Sequence, residues 1–367
     1  MHILNIIQCT NLGGMERSNF LRMKYYRLQG HRVRLISLHP IGAGAPLYEE
    51  AHMPVMGCDY QGKFGLISHH KLRKLVKSYP ADVIFVTGPS ISSCLAASAQ
   101  RVPRILCVHY HHGFTLAQRL KWKAFYAYFS KTFVKITFCS DFIRSEAESI
   151  YPPLEQKSVT LKNIFEIPPE SEIKKKSEAR GKLGLPLKVP IIGNAGWFIN
   201  RKRFDLLLII ASFMIKEIPD LHVAIAGGGE CESMLKQLAQ DLGLKDRVHW
   251  LGWLMDLSDF YKSIDVLVFN SDFEALGRTP VEAMAYGVPV VASVSYGGIK
   301  EALRNNESGF LIEEHDVMQL VGYTSTLLHD DNLRREMGNS GRKWVEKNLS
   351  SEIIGEQLDR LLQNCFE

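Results

Sequence analysis

Short apolar runs rich in valine and isoleucine alternate with stretches of helical periodicity along almost the whole chain, the pattern of βαβ units and parallel sheets rather than an all-α or all-β fold. His2–Ile7 reads as a first strand, Glu16–Gln29 as a helix closed by Gly30, and Arg32–Leu38 as a second strand. Val83–Val86, Ile105–Val108, Ile136–Cys139 and Val159–Leu161 continue the series. From Pro168 to Lys182 the chain turns polar, basic and proline-marked, as in a linker entering a short helix. A second series then begins with strand Val189–Gly193, helix Phe204–Lys216, strand His222–Ala226 and a helix over Glu230–Leu242 that stops at Gly243. Strands Val248–Leu251, Val266–Asn270 and Val288–Ala292 follow, so the pattern predicts two sheets of similar size. In the last segment, Ile353, Ile354, Leu358, Leu361 and Leu362 recur at helical spacing behind Ser350 or Ser351 as cap.

Size supports two domains, because 367 residues exceed what a single core usually organises. Met1–Cys9 is apolar but has no basic leader and meets Gly13-Gly14 early, so it reads as a strand and not as a signal peptide. The longest apolar run, Leu206–Ile215, is about half the ~20 residues that a membrane-spanning helix needs. Seven scattered cysteines with no Cys-x-x-Cys pair suggest a reducing, cytoplasmic compartment.

Charge changes the picture locally. The net +5 is concentrated at Lys174-Lys175-Lys176, around Arg201-Lys202-Arg203, and in Arg119–Lys135, where lysines alternate with Trp122, Phe125, Tyr126, Tyr128, Phe129 and Phe133. Such patches fit phosphates, anionic lipid or nucleic acid. The aromatic stretch suits the inner face of an anionic membrane, or else a helix with its aromatics in the core. No nucleic-acid module accompanies the charge.

Candidate chemistry falls in the loops between strands and helices. Gly13-Gly14 lies between the first strand and first helix, where backbone N–H groups approach an anion, though a tight turn explains it equally well. Glu274 and Glu282 are separated by seven residues after the strand ending near Asn270. Glu282 forms a capping-box sequence with Thr279, with Pro280 at the first helical position, whereas Glu274 sits in a glycine-containing loop beyond a strand end, where open α/β sheets place ligands. Arg201-Lys202-Arg203 precede a helix, and three cations there oppose the macrodipole unless an anion binds. Gly227-Gly228-Gly229 reads as a tight turn, and His109, His111 and His112 lack an adjacent carboxylate or cysteine that would make a metal site.

In this order the segments resemble the GT-B fold retaining glycosyltransferases of family 4, the glycosyl transferases group 1, over nearly the whole chain. The most specific stretch is Ser271–Ala292, which is similar to the family's Glu-x7-Glu motif and the Glu-Ala-Met-Ala-x-Gly-x-Pro-Val sequence that begins at its second glutamate. Gly13-Gly14, Ser140, Asn163, Lys202, Gly227-Gly228-Gly229, Gly252 and Gly297-Gly298 with Glu301 fit the same pattern.

The resemblance implies two Rossmann-like domains whose parallel sheets face a central cleft: an acceptor domain over 1–168, a nucleotide-sugar domain over 169–349, and a helix over 350–367 returning to the first. It implies Glu274 on the donor sugar, Glu282 on the ribose, Lys202 on the diphosphate and His109 facing the sugar. Gly13 and Gly14 are implied at the phosphates, with Leu254, Leu276 and Gly277 completing the donor-binding set. One position departs: the family's Gly-Arg is Gly196-Trp197 here, leaving Arg201 or Arg203 to supply the missing charge. No Asp-x-Asp sequence suggests a metal. The expectation is therefore a metal-independent enzyme with no cofactor, moving a hexose or N-acetylhexosamine from a nucleotide-diphosphate sugar, a UDP-sugar before a GDP-sugar, to a glycan or lipid-linked hydroxyl. An epimerase or phosphorylase of the same fold, or a non-catalytic nucleotide or polyanion binder, is the alternative.

Overall fold

The computed structural model describes residues 1–11, 13–58, 66–173 and 175–366. The chain divides into two units, Met1–Ile164 with Ser351–Glu367, and Phe165–Ser350. In the first, strands β1 (His2–Ile7), β2 (Arg32–Ser37), β3 (Val55–Gly57), β4 (Val83–Thr87), β5 (Arg104–Val108), β6 (Lys135–Phe138) and β7 (Ser158–Thr160) form a seven-stranded sheet in the order β3-β2-β1-β4-β5-β6-β7. Every pairing is parallel. All five residues of β4 are buried, as are five of the six in β1. Helices on both faces of a parallel sheet require that, which is why these strands appear as apolar runs and not as alternation. The helix Ser351–Gln363 belongs to this unit: the Tyr25 hydroxyl donates to Asp359 at 2.8 Å and that of Tyr26 to the Leu358 carbonyl at 3.1 Å.

The second unit holds β8 (Ile191–Trp197), β9 (His222–Gly228), β10 (Val248–Gly252), β11 (Val266–Glu274), β12 (Val290–Gly297) and β13 (Gly309–Ile312), parallel in the order β10-β9-β8-β11-β12-β13. The helix Phe204–Met214 explains the longest apolar run. Leu207, Leu208, Ile210 and Met214 pack in one core with Val223 and Val268 of the sheet and with Leu320 and Leu327 of the helix Val317–His329. A helix covered on both sides is apolar nearly all round.

The basic linker is partly consumed in structure, Lys174 lying outside the described residues. Helix Lys176–Lys182 is clamped to the sheet through Arg180, which is buried and donates to the carbonyls of Ser263, Leu187 and Val189 at 2.8, 3.0 and 2.9 Å. Its charge is met by Asp265 at 2.8 Å, and that carboxylate also takes Lys176 at 2.6 Å and the Ile191 amide at 2.8 Å. Burial pushes the Asp265 carboxyl up, but Lys176, Arg180 and the Ile191 amide outweigh it and hold it below the usual range. A depressed folded value contributes stability above the unfolded pKa of ~3.9, and that contribution is lost as pH falls through the folded value. Asp265→Ala leaves a buried guanidinium without its anion and is expected to cost ~3 kcal/mol near neutral pH. Urea unfolding should show this difference shrinking as pH falls below about 4, since wild type then loses the same interaction.

Candidate active site

β8 and β11 are neighbours at the centre of the second sheet, and their connections run to opposite edges, β8 on to β9 and β11 on to β12. The carboxyl ends of two such strands border the crevice where open α/β sheets bind ligands. Both strands run further than their sequences predict. β8 continues past Gly193 to Trp197, and β11 passes Asn270 to end at Glu274. Glu274 is therefore the last residue of a strand and not part of a loop. The extra length comes from β12, which pairs Phe273 with Tyr296 and Glu274 with Gly297. Gly297 has φ +136°, and a Cβ there would lie 1.9 Å from the Glu274 carbonyl oxygen, so only glycine lets the strands close at this point.

Three basic residues follow β8 in different situations. Lys202 ends a 3₁₀ turn over Asn200–Lys202 and bonds through Nζ to Glu274 Oε1, with its ammonium 5.3 Å from the Phe269 ring centre. Arg201 is exposed, donating from Nη1 to the Phe273 carbonyl at 2.8 Å while Ser271 Oγ donates to the Arg201 carbonyl at 3.1 Å. Arg203 stands in the left-handed region, φ +45°, as N-cap of the helix that follows, and its guanidinium meets Asp205 at 3.0 Å and Asp272 at 3.5 Å. Those carboxylates raise the Arg203 pKa, so one part of the conflict between cations and helix dipole is relieved within the chain.

The capping box at Glu282 does not form. Helix Arg278–Ala285 starts earlier, with Gly277 at φ +86° as its N-cap and no side-chain cap. Thr279 Oγ1 donates to the Ala195 carbonyl of β8 at 3.1 Å, tying the helix to the sheet. The Glu282 carboxylate is instead held from two directions. Tyr261 donates its hydroxyl to Oε2 at 2.6 Å, and Arg278, one turn earlier, donates to Oε1 from Nη2 at 2.5 Å and Nε at 3.1 Å. Spacing of four residues on one helix is the signal that could have revealed Arg278; Tyr261 is brought in by the fold alone. Leu276 is buried and Leu254 half-buried.

Where the family has arginine, Trp197 packs edge-on to Trp253 with ring centres 4.5 Å apart. Both indoles are exposed, and a Cβ on Gly228 would come within 2.9 Å of Trp253 Nε1. That glycine run is thus more than a tight turn: its middle residue makes room for an indole. No motif signals this pair, because the two tryptophans lie 56 residues apart in sequence (253 − 197).

In the first unit, Gly13 is the N-cap of helix Gly14–Leu28 and makes no side-chain cap bond. Glu16 in that first turn is buried and accepts from Cys9 at 3.2 Å. His109 follows β5, with Nε2 3.5 Å from Nη2 of the buried Arg22. His112 is fully buried, Nδ1 2.7 Å from Glu146 and Nε2 2.6 Å from the Tyr126 hydroxyl. The carboxylate missing from the local sequence is thus Glu146, which also accepts from the His112 amide at 3.0 Å. Burial raises the Glu146 carboxyl, but His112 and then His111 win and hold it low. Among the described residues no three His, Cys, Asp or Glu side chains group as a metal site requires.

Both units match models of known protein families. Residues 12–163 match the model for Glycosyltransferase Family 4, and residues 175–344 that for glycosyl transferases group 1. An uncharacterized glycosyltransferase of Haemophilus influenzae is 29% identical over 360 residues, 96% of this chain and 97% of that one. A GDP-mannose-dependent phosphatidylinositol monomannoside mannosyltransferase of Corynebacterium glutamicum is 35% identical over 198 residues, about half of each chain. HepE of Anabaena, solved with UDP-glucose, superposes with a TM-score of 0.85 at 21% identity over 99% of this chain and 100% of its own, which shows the GT-B fold. The chain belongs to the family 4, group 1 glycosyltransferases, retaining enzymes that take their sugar from a nucleotide-activated donor.

Proposed function

We propose that this enzyme transfers a hexose or N-acetylhexosamine from a UDP-sugar to a hydroxyl of a glycan or lipid-linked acceptor, without a metal, at an anionic membrane surface. The observation that carries it is the Lys202–Glu274 pair at the ends of β8 and β11, with Glu282 on the helix that leaves the same strand end. Lys202 holds the diphosphate, the Glu274 carboxylate accepts from hydroxyls of the sugar, and Glu282, oriented by Tyr261 and Arg278, accepts from the ribose. Leu276 and Gly277 form the adjoining wall, and Leu254 borders the base. The Trp197–Trp253 pair fills space beside that base, which favours a uracil ring over the larger guanine. Gly13 and Gly14 offer backbone N–H groups to phosphate, and His109 acts on the donor sugar.

Breaking the sugar–phosphate bond leaves an oxocarbenium-like sugar and adds negative charge to the diphosphate. Stabilising that charge is the main demand, and preplaced cations meet it at no reorganisation cost during the reaction. Arg201 is the better replacement for the missing family arginine, since Arg203 already serves two carboxylates. The acceptor oxygen attacks from the face that the phosphate leaves, and the leaving phosphate oxygen takes its proton, so no enzymic nucleophile is needed.

Transfer from a UDP-sugar, assayed in EDTA with and without acceptor, tests this reading. Turnover is expected to persist in EDTA and to require acceptor, giving a product of retained anomeric configuration. Activity abolished by EDTA and restored by magnesium or manganese would overturn the metal-free mechanism. A rearranged nucleotide sugar formed without acceptor would make the chain an epimerase, and nucleotide binding without any turnover would make it a binding protein.

A further inference from the structure

The helix Leu116–Phe129, LAQRLKWKAFYAYF, carries Arg119, Lys121 and Lys123 and no acidic residue, and Lys131 and Lys135 extend the basic run. Its aromatics divide between two environments. Tyr126 and Phe129 are buried in the first unit, Tyr126 being fixed by its hydroxyl on His112. Trp122 and Phe125 are only half-buried, and Tyr128 is 61% exposed. Between this helix and Ile91–Ala97 runs a groove of about 650 Å³, whose walls include Ile91, Leu95, Trp122, Phe125 and Tyr128 with Lys121 at the edge. On the same helix and just before it, Leu116, Leu120 and Phe114 are 73%, 54% and 68% exposed.

A soluble surface rarely leaves an apolar trough open beside protruding leucines and a phenylalanine. The charges select its occupant. A protein partner of mixed charge has no need of a helix with cations only, whereas anionic headgroups attract each lysine or arginine that reaches them, and amphipathic residues at the same level enter the acyl region. No described helix is long and apolar enough to cross a membrane, so contact of this kind is made from the surface.

We propose that the groove between helices Ile91–Ala97 and Leu116–Phe129 seats one acyl chain of an anionic phospholipid, with Lys121 at the groove edge on its phosphate, Lys123 on a neighbouring headgroup, and Leu116 and Leu120 entering the bilayer. This rests on the proposed contact with an anionic membrane and names the lipid and the residues that make it. Donor binding in the second unit does not depend on it.

The test uses the whole protein with vesicles of phosphatidylglycerol and phosphatidylcholine, the phosphatidylglycerol carrying bromine on its acyl chains to quench nearby indoles. Wild type is expected to float with the anionic vesicles and not with pure phosphatidylcholine, and its fluorescence to be quenched. Of the five tryptophans only Trp122 lines the groove, so Trp122→Phe should still float while losing most of the quenching. Ala124 is exposed and lines the groove, and Ala124→Phe should fill it without disturbing the core, lowering both flotation and quenching. The double change Lys121→Gln, Lys123→Gln should weaken partitioning roughly 30-fold, the factor that two surface cations supply. Thermal stabilisation by UDP, measured on every variant, should stay at the wild-type value. Absence of wild-type flotation overturns the membrane contact. Flotation unchanged in Ala124→Phe, or quenching unchanged in Trp122→Phe, overturns the groove. Self-association that Ala124→Phe abolishes, without vesicle binding, makes the occupant a second copy and likewise overturns the proposal.

Discussion

Glu274→Gln is expected to lower kcat by about two orders of magnitude while donor affinity changes by less than about threefold. Its backbone is fixed by pairing with Gly297, so the amide should stand where the carboxylate stood. What it lacks is the negative charge beside a sugar that becomes cationic as the bond breaks. Only interactions stronger in the transition state than in the ground state raise kcat, which is why the loss should fall there. Glu282→Gln provides the contrast. The ribose is remote from bond cleavage, so that change should raise the donor KM with kcat nearly intact. Because Tyr261 and Arg278 hold this carboxylate where a cap was expected, Glu282→Gln should also weaken the hold of those two side chains. Steady-state kinetics on both variants, with melting temperatures to establish folding, checks the pair. Wild-type kcat in Glu274→Gln with normal donor binding removes Glu274 from the sugar.

The second large effect concerns the cations after β8. Lys202→Met is expected to lower kcat/KM by about 10² to 10³, the range found when one preplaced donor to a developing charge is removed. It also frees Glu274 from its ion pair, so some of the loss reflects a carboxylate no longer positioned. The two arginines should separate. Arg201→Gln is expected to cost roughly tenfold in kcat/KM as the loss of a charge-assisted contact, with little change in melting temperature, because the residue is exposed and its guanidinium holds one carbonyl and lies 5.9 Å from the Phe273 ring centre. Arg203→Gln should do the reverse, lowering the melting temperature by a few degrees, since it takes the guanidinium from Asp205 and leaves Asp272 with His315 alone. The opposite ranking makes Arg203 the charge that replaces the one absent at Trp197.

The apolar runs made the central strands of both sheets legible because parallel strands between helices are apolar at every position, as β4 is. Of the four edge strands, β7 and β10 were legible as Val159–Leu161 and Val248–Leu251, but β3 and β13 were not. β3 offers Val-Met-Gly, half-buried, and β13 only four residues, too little for a pattern to stand out from a loop. The helices Val317–His329 and Asp331–Leu349 carry a weaker signal, the aspartates Asp316 and Asp330 that cap them with side-chain bonds. At the candidate site, Glu274, Glu282 and Lys202 announced themselves through motif spacing. Their surroundings did not. Tyr261 on Glu282, Glu146 beneath His112 and Trp253 against Trp197 are each fixed by strand order, which brings together residues far apart in sequence. The mistaken capping box shows the same limit locally: Thr279-x-x-Glu282 has the right letters, but Gly277 turns the chain two residues earlier and Thr279 bonds across to β8.

The proposed mechanism needs a nucleoside diphosphate held by Lys202 and Glu282, and calorimetric titration of UDP in EDTA tests that most directly. UDP is expected to bind at one site per chain and more tightly than GDP or ADP, with affinity falling at least tenfold in Lys202→Met and measurably in Glu282→Gln. If UDP does not bind, or binds Lys202→Met and wild type equally, the donor does not lie at the ends of β8 and β11 and the mechanism built there is wrong.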